Sequence, residues 1–194
     1  MSYDRSSLRY AHTNGHTSLK YITTPDAGDF IVTCGSDGDI RKWRGIDDDD
    51  PSSSCLGEFV LCVEQEVSED GTSKAVRLLA STDRNTVLAY TFPDMEADGT
   101  LMRFTAPVTC IRSTKSYTAA GSEDMEIKVI LKNAEEESTS SNAKEVCLQG
   151  HKGPVLALDI CETKKLLASA GGDGTIIVWS LGEPGKELKR VAGI

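Results

Sequence analysis

Residues 150–179 read GHKGPVLALDICETKKLLASAGGDGTIIVW. A Gly-His pair, Gly150-His151, opens the stretch, and apolar residues alternate at Val155 and Ala157. A second apolar run follows at Leu166-Leu167-Ala168. An Asp-Gly pair, Asp173-Gly174, then leads into Ile176-Ile177-Val178-Trp179. Short alternating runs punctuated by turn pairs predict three antiparallel strands joined by tight turns. A fourth strand fits just upstream, at Val146 to Leu148.

The same phrase occurs near the start of the chain. Gly15-His16 opens it, Phe30-Ile31-Val32-Thr33 forms the middle run, and Asp37-Gly38-Asp39-Ile40 leads to Trp43. His16 and Trp43 are 27 positions apart; His151 and Trp179 are 28 apart. Two weaker units lie between them. One uses Leu61 to Val63, Ala75 to Ser81, Thr86 to Tyr90 and Leu101 to Phe104; the other uses Val108 to Ile111, Tyr117 to Ala120 and Ile127 to Leu131. The residues in the Trp slot are then Trp43, Tyr90, Ile130 and Trp179, spaced by 47, 40 and 49 positions. The two longer gaps contain the polar runs DDDDPSSS and EEESTSS, and insertions in repeats fall in loops. A four-strand unit recurring at about 40–45 residues is the sequence signature of a propeller blade. The motifs closely resemble those of WD-repeat proteins. The expectation is an all-β chain of about four blades, near 15–60, 61–105, 106–149 and 150–194, after a tail at 1–14. The outer strand of the first blade is expected near 56–60. A doubly wound α/β fold needs amphipathic helices of about ten or more residues between strands, and none is legible.

Composition narrows the function. The chain has 194 residues, 26% charged and 39% hydrophobic, with a net charge of −9. That balance belongs to a folded chain and opposes a nucleic-acid surface, which needs a basic stripe. No apolar run approaches the length of a membrane span. The six cysteines, at 34, 55, 62, 110, 147 and 161, form no Cys-x-x-Cys, which argues against zinc and for reduced thiols in cytosol or nucleus. No metal or other cofactor is expected.

The chemically suggestive residues are two sets: His16, Thr33, Asp37, Trp43 and His151, Ser169, Asp173, Trp179. A hydroxyl, a His and an Asp invite comparison with a hydrolase triad. The set occurs twice, however, and no Gly-x-Ser-x-Gly elbow is present. A structural hydrogen-bond chain inside each blade, as in WD-repeat proteins, explains both copies. The middle units depart from the pattern. Arg84 takes the Asp slot in the second unit, beside Asp83, and Ala80 and Ala120 take the hydroxyl slots, so those blades are expected to lack the network and to be less rigid. Gly35-Ser36-Asp37-Gly38 lacks the Lys-Ser/Thr of a phosphate loop, and Asp47, Asp48, Asp49 and Asp50 lack the spacing of a calcium loop. His12 reads as an exposed or capping residue, and Arg41, Lys42 and Arg44 as the exposed basic end of a strand.

Finer wording points to one branch of the WD-repeat class. RYAHTNGHTS (9–18), GDFIVTCGSDGDIRKW (28–43), DDDDP (47–51), YTFPDMEADGTLMRFT (90–105) and AAGSEDMEIKV (119–129) together resemble the N-terminal propeller of the WD-repeat and HMG-box DNA-binding protein family. The resemblance runs from about Arg9 to about Trp179. It implies a nuclear, non-enzymatic adaptor in DNA replication that links DNA polymerase alpha to the replicative helicase. In that family further blades, a second propeller and often an HMG box follow, and most docking surfaces belong to those parts. A generic WD-repeat adaptor, such as a ubiquitin-ligase substrate receptor, is the alternative.

Two expectations follow. In an up-and-down blade the connections of strands one to two and three to four share one face. That face collects Asp26, Asp29, Asp47 to Asp50, Glu66, Glu69, Asp70, Asp94, Glu96, Asp98 and Glu135, Glu136 and Glu137, against Lys115, Lys164 and Lys165. Such a face should repel DNA and attract basic peptides. Propellers of this family have seven blades, so the ring should be incomplete. Leu8 to Ala11 would be the ring-closing outer strand, without its native partner.

Overall fold

The computed structural model describes residues 12–44, 51–67, 76–132, 144–183 and 186–193. Among them every regular element is a β-strand, and the strands form four separate antiparallel four-stranded sheets. The first blade holds β1 (His16–Thr24), β2 (Gly28–Gly35), β3 (Asp39–Trp43) and β4 (Ser52–Cys55). The second holds β5 (Val60–Glu66), β6 (Val76–Thr82), β7 (Thr86–Phe92) and β8 (Ala97–Arg103). The third holds β9 (Val108–Ser113), β10 (Tyr117–Ser122), β11 (Glu126–Leu131) and β12 (Lys144–Gln149). The fourth holds β13 (Val155–Cys161), β14 (Leu166–Gly171), β15 (Thr175–Ser180) and β16 (Lys186–Ala192). Each sheet is a simple meander in chain order, the topology of a WD-repeat β-propeller blade.

The blades pack face to face because their middle strands are apolar on both sides. Six successive residues of β10, Tyr117 to Ser122, are all buried. One core cluster joins blades one and two through Ile22, Phe30, Val32, Leu78 and Phe92. A second joins blades two and three through Val87, Met102, Ile111 and Ile130. A third joins blades three and four through Tyr117, Ile127, Leu148, Leu167, Ile177 and Trp179. Among the described residues no core cluster joins blade four to blade one. The ring is an open arc.

The turn between the second and third strands of each blade repeats one backbone device. Gly38 (φ 81°), Asn85 (φ 65°), Met125 (φ 70°) and Gly174 (φ 72°) occupy the same position and all lie in the left-handed region. Glycine enters it without steric cost and asparagine with little, whereas Met125 holds it against Cβ crowding.

The outer strand of blade one lies at Ser52–Cys55 rather than near 56–60. Its residues pair with β3, Asp39 opposite Cys55 and Lys42 opposite Ser52, and the Leu56 amide closes the ladder on the Gly38 carbonyl at 2.9 Å. A run of serines carries no apolar alternation to announce it. Val60, read as the end of that strand, is instead a wholly buried residue that starts β5. Leu8 to Ala11, Asp47 to Asp50, Glu69, Asp70 and Glu135 to Glu137 lie outside the described residues.

Candidate functional site

In blade four the strands bring the expected set together. Trp179, at the end of β15, donates its indole N–H to Ser169 Oγ on β14 at 2.9 Å. That leaves the hydroxyl proton for His151 Nε2, 2.8 Å away. The other ring nitrogen, Nδ1, then donates to Asp173, 3.2 Å from Oδ1 and 3.3 Å from Oδ2. Asp173 also accepts from the Lys152 amide at 2.7 Å, the Thr175 amide at 3.1 Å and the Thr175 hydroxyl at 2.7 Å. The Lys152 amide bond leads the contributions that hold its carboxyl well below the usual range; burial works against them. The chain of four side chains thus ties the loop before β13 to the β14–β15 turn and to the body of the sheet.

Blade one builds the same chain with a different histidine. His12 takes the place expected of His16. Its Nδ1 donates to Asp37 Oδ1 at 2.8 Å, and its Nε2 lies 3.0 Å from Thr33 Oγ1, which also accepts the Trp43 indole N–H at 3.1 Å. The Thr13 amide donates to Asp37 Oδ2 at 3.0 Å, the counterpart of the Lys152 amide on Asp173. His12 is buried, whereas His16 begins β1 as an exposed residue touching His12 edge-on at 4.8 Å between ring centres. The reason is a longer hairpin. His16 pairs with Gly35, 19 positions on, whereas Val155 pairs with Gly171, 16 positions on. The hairpin from β1 to β2 therefore holds three extra residues, and the matched His-to-Trp spacing of the sequence reading paired His16 with the wrong frame. Burial tends to raise the Asp37 carboxyl, but the His12 bond and the Thr13 and Asp39 amides outweigh it and hold the group at about 2.

A glycine accompanies each brace histidine. A Cβ on Gly35 would sit 2.7 Å from His12 Nδ1, and one on Gly171 would collide with the His151 ring and approach Asp173 Oδ1 to 2.7 Å. At the equivalent position blade three has Ser122 and blade two Thr82, both wholly buried. Neither blade has a histidine there. Ser122 Oγ donates to the Ala106 carbonyl at 3.0 Å and receives the Asp124 amide at 3.2 Å; Thr82 Oγ1 receives the Arg84 amide at 3.3 Å. In these two blades a hydroxyl on the strand, rather than an imidazole, bonds to the backbone of the following turn. The third blade also keeps the acid. Asp124 accepts the Thr105 amide and hydroxyl at 2.8 and 2.9 Å, so its turn stays clamped without the His. Arg84, in the Asp slot of blade two, points outward to Glu58 at 3.3 Å.

These side chains cannot do triad chemistry. Ser169 is buried at 2% exposure, and its oxygen already receives the Trp179 N–H. The Cys62 thiol on β5 is pushed up to about 12 by burial, which leaves it un-ionised and unreactive at neutral pH. Among the described residues no group of three or more His, Cys, Asp or Glu is placed to hold a metal ion.

Of the three basic residues read as an exposed strand end, Arg44 is exposed, whereas Arg41 and Lys42 on β3 are buried. Arg41 reaches Asp37 and Asp39, both at 3.3 Å, and Lys42 donates to the Pro93 carbonyl at 2.7 Å. The expected acidic face is interleaved with cations. Arg77 binds Glu66 at 2.6 Å and Asp98 at 2.7 Å, Lys132 lies 3.4 Å from Glu66, and Asp29 accepts the Tyr21 hydroxyl at 2.6 Å. Asp26, Asp94 and Glu96 are exposed there.

At the centre of the arc the inner strands β1, β5, β9 and β13 line a groove of about 400 Å³. Buried Glu64 sits in it, ion-paired with Lys20 of blade one and 3.5 Å from Arg112 Nη1 of blade three.

Residues 9–194 match the family described as the WDHD1 first WD40 domain. The chain belongs to that family. Curated relatives of this WD40 domain include the WD repeat and HMG-box DNA-binding protein 1 of Mus musculus, 36% identical over 185 residues, and that of Xenopus laevis, 36% over 181. The protein of the same name from Homo sapiens is 35% identical over 185 residues. These alignments take in 92–94% of the WD40 chain but only 14–15% of the relatives' length. Among solved structures, the computationally designed Ika4 protein superposes with a TM-score of 0.68 at 18% identity, over 89% of this chain and 95% of the other. The structure of U3-55K gives 0.67 at 24% identity, over 91% and 52%. At such identities the superpositions speak for the fold alone. The chain is a WD-repeat domain of a protein-interaction scaffold family.

Proposed function

We propose that this domain is a non-enzymatic interaction arm of a nuclear replication adaptor, bringing protein partners together on chromatin. The observation that carries the reading is that both His-Asp sets are spent inside their blades, which leaves the rims and the groove as the surfaces open to partners. Membership of the WDHD1 first WD40 family and relatives named as HMG-box DNA-binding proteins support the chromatin setting. The net charge of −9 supports a reading in which DNA contacts lie in other parts of such a protein rather than on this arc. By family resemblance the partners are replisome proteins such as DNA polymerase alpha and helicase subunits. Basic peptides are a further class, drawn to exposed acids such as Asp26, Asp94 and Glu96.

Affinity capture from nuclear extract tests the reading. The full-length protein should recover polymerase alpha and helicase subunits, and deletion of residues 12–193 should lower that recovery. Recovery of ubiquitin-ligase subunits in their place would instead support a substrate receptor. Binding of duplex DNA by the 194-residue chain, falling steeply with salt, would refute the placement of DNA contacts elsewhere.

A further inference from the structure

We infer that the rim of blade two carrying Phe59, Arg84 and Arg103 is a docking site for an extended acidic segment of a partner protein. An apolar side chain of that segment seats on Phe59, and carboxylates meet the two arginines. The inference goes beyond the replication reading and holds whichever partner the full-length protein serves.

Blade two departs from the other blades on the face that carries the turns between second and third strands. One backbone bond repeats there in every blade. The Ser36 amide donates to the Gly15 carbonyl at 3.4 Å, Asp83 to Phe59 at 3.0 Å, Glu123 to Pro107 at 2.9 Å and Gly172 to Pro154 at 2.7 Å. Phe59 therefore occupies the position that holds Gly15, Pro107 and Pro154 elsewhere. It is 51% exposed. The backbone beneath it is fixed from two sides. The Phe59 amide donates to Asp83 Oδ1 at 3.1 Å, and the Leu56 amide donates to the Gly38 carbonyl of blade one at 2.9 Å. Glu58 lies so close to Gly38 that a Cβ there would stand 3.0 Å from the Glu58 carbonyl oxygen. An aromatic ring left in water on a backbone already fixed is a preformed anchor for a partner. Blades one and three pack on the two sides of blade two, so this rim lies within the arc.

The charge on this rim selects the partner. Asp37, Asp124 and Asp173 each clamp the loop before the inner strand of their own blade. Arg84 stands at that position in blade two and carries its side chain outward, 71% exposed and 3.3 Å from Glu58. An exposed pair of this kind contributes little and is readily exchanged for another carboxylate. Arg103 ends β8 on the same face, where the Phe104 amide bonds to the Asn85 carbonyl at 2.8 Å. It is exposed, forms no ion pair among the described residues, and holds Nη2 3.4 Å from the Thr100 hydroxyl. Guanidinium groups beside an exposed ring suit carboxylates that flank an apolar side chain. Strand order sets the spacing. Phe59 precedes β5, Arg84 lies between β6 and β7, and Arg103 ends β8. Neighbouring strands lie about 4.8 Å apart, so the anchors spread over about 14 Å with Arg84 near the middle. An extended chain rises about 3.3 Å per residue and turns alternate side chains to one face, so every second residue recurs at about 7 Å. The occupant that fits is an extended segment with one apolar residue and two acids at alternate positions.

The test is fluorescence anisotropy of a labelled synthetic peptide, Ser-Leu-Ser-Glu-Ser-Glu-Ser, titrated with the intact 194-residue chain. Saturable binding with a dissociation constant of about 10–100 µM is expected. It should weaken as salt rises. Phe59→Ala, Arg84→Ser and Arg103→Ser, all at exposed positions, should each weaken it about fivefold or more. Lys152→Ser, which removes an exposed cation from the same face of blade four, should change it less than about twofold. A second peptide of the same composition, Ser-Leu-Glu-Ser-Glu-Ser-Ser, turns its acids to the side opposite the leucine and should bind about fivefold or more weakly. Circular dichroism of each variant guards against misfolding. The absence of saturable binding of the first peptide up to about 1 mM overturns the inference. So does binding indifferent to the Phe59 and arginine substitutions, or equal affinity for the two peptides.

Discussion

Replacing His12 by Ala separates the two histidines of blade one. His12 is buried and holds both Asp37, at 2.8 Å, and Thr33, at 3.0 Å. Its loss strands a carboxylate oxygen and a hydroxyl in a part-buried site. Each unsatisfied polar group costs about 1–3 kcal/mol, and water reaching the Asp37 side of the turn recovers some of it, so a net loss of about 2–3 kcal/mol is expected. For a chain of this length each kcal/mol lowers Tm by about 2–4 °C, which makes the shift about 4–12 °C. His16→Ala, at an exposed position, should stay within about 0.5 kcal/mol. Thermal and urea unfolding of the two variants beside the parent chain measure the difference. The pH dependence supplies a second check. Asp37 titrates at about 2 when folded, below its ordinary 3.8. Its contribution is therefore fully present above about pH 4 and is lost as pH falls toward 2. His12→Ala should flatten that part of the acid limb. Equal losses for His12→Ala and His16→Ala would refute the assignment.

Gly171→Ala should cost about 1–3 kcal/mol in urea unfolding, because the new methyl meets the His151 ring and Asp173; Gly171→Ala in a His151→Ala background should cost less, since the ring is gone. Glu64→Gln should destabilise by about 1–3 kcal/mol, because it leaves Lys20 and Arg112 facing each other without the anion between them, and added salt should reduce the loss. Asp124→Asn should cost about 1–2 kcal/mol at neutral pH, and the difference from the parent should shrink as pH falls, because the folded Asp124 carboxyl is held low by the Thr105 and Glu126 bonds that outweigh its burial.

The blade pattern was legible because strand alternation and turn residues are local properties. Asp-Gly at 37–38 and 173–174 marks a turn that needs positive φ, and both turns occur where they were read. Blade four's brace was legible for the same reason: its first hairpin is shorter than that of blade one, 16 positions between Val155 and Gly171 against 19 between His16 and Gly35, so sequence spacing maps directly onto space. Blade one's brace was not. The hairpin from β1 to β2 is three residues longer, and nothing local ties His12 to Asp37, 25 positions away. A usable signal was the Gly35 and Gly171 pair, since a missing Cβ beside the Thr/Ser strand marks where a ring must fit. The outer strand Ser52–Cys55 was illegible because it faces solvent and buries no stripe of apolar residues. Buried Arg41 and Lys42 were missed because their partners are Asp37 and the Pro93 carbonyl, supplied by turns, and Asp39, at the start of β3 itself.

Comparison of the two braced blades separates two sources of order that a propeller usually confounds. Trp179 is covered by blade three at 1% exposure, whereas Trp43 stands half-buried on an open side. Yet the indole-to-hydroxyl bonds are nearly the same length, 2.9 and 3.1 Å, and each histidine reaches both its hydroxyl and its acid. The brace is therefore assembled by its own blade and does not require a neighbour on its face. Blade-to-blade contact rests on other atoms: apolar side chains, and on the inner strands the Thr17 hydroxyl on the Val60 carbonyl, the Thr109 hydroxyl on the Val155 carbonyl, and Glu64 beside Arg112. A blade thus holds its brace whether its Trp is wholly covered, as Trp179 is, or half-buried, as Trp43 is.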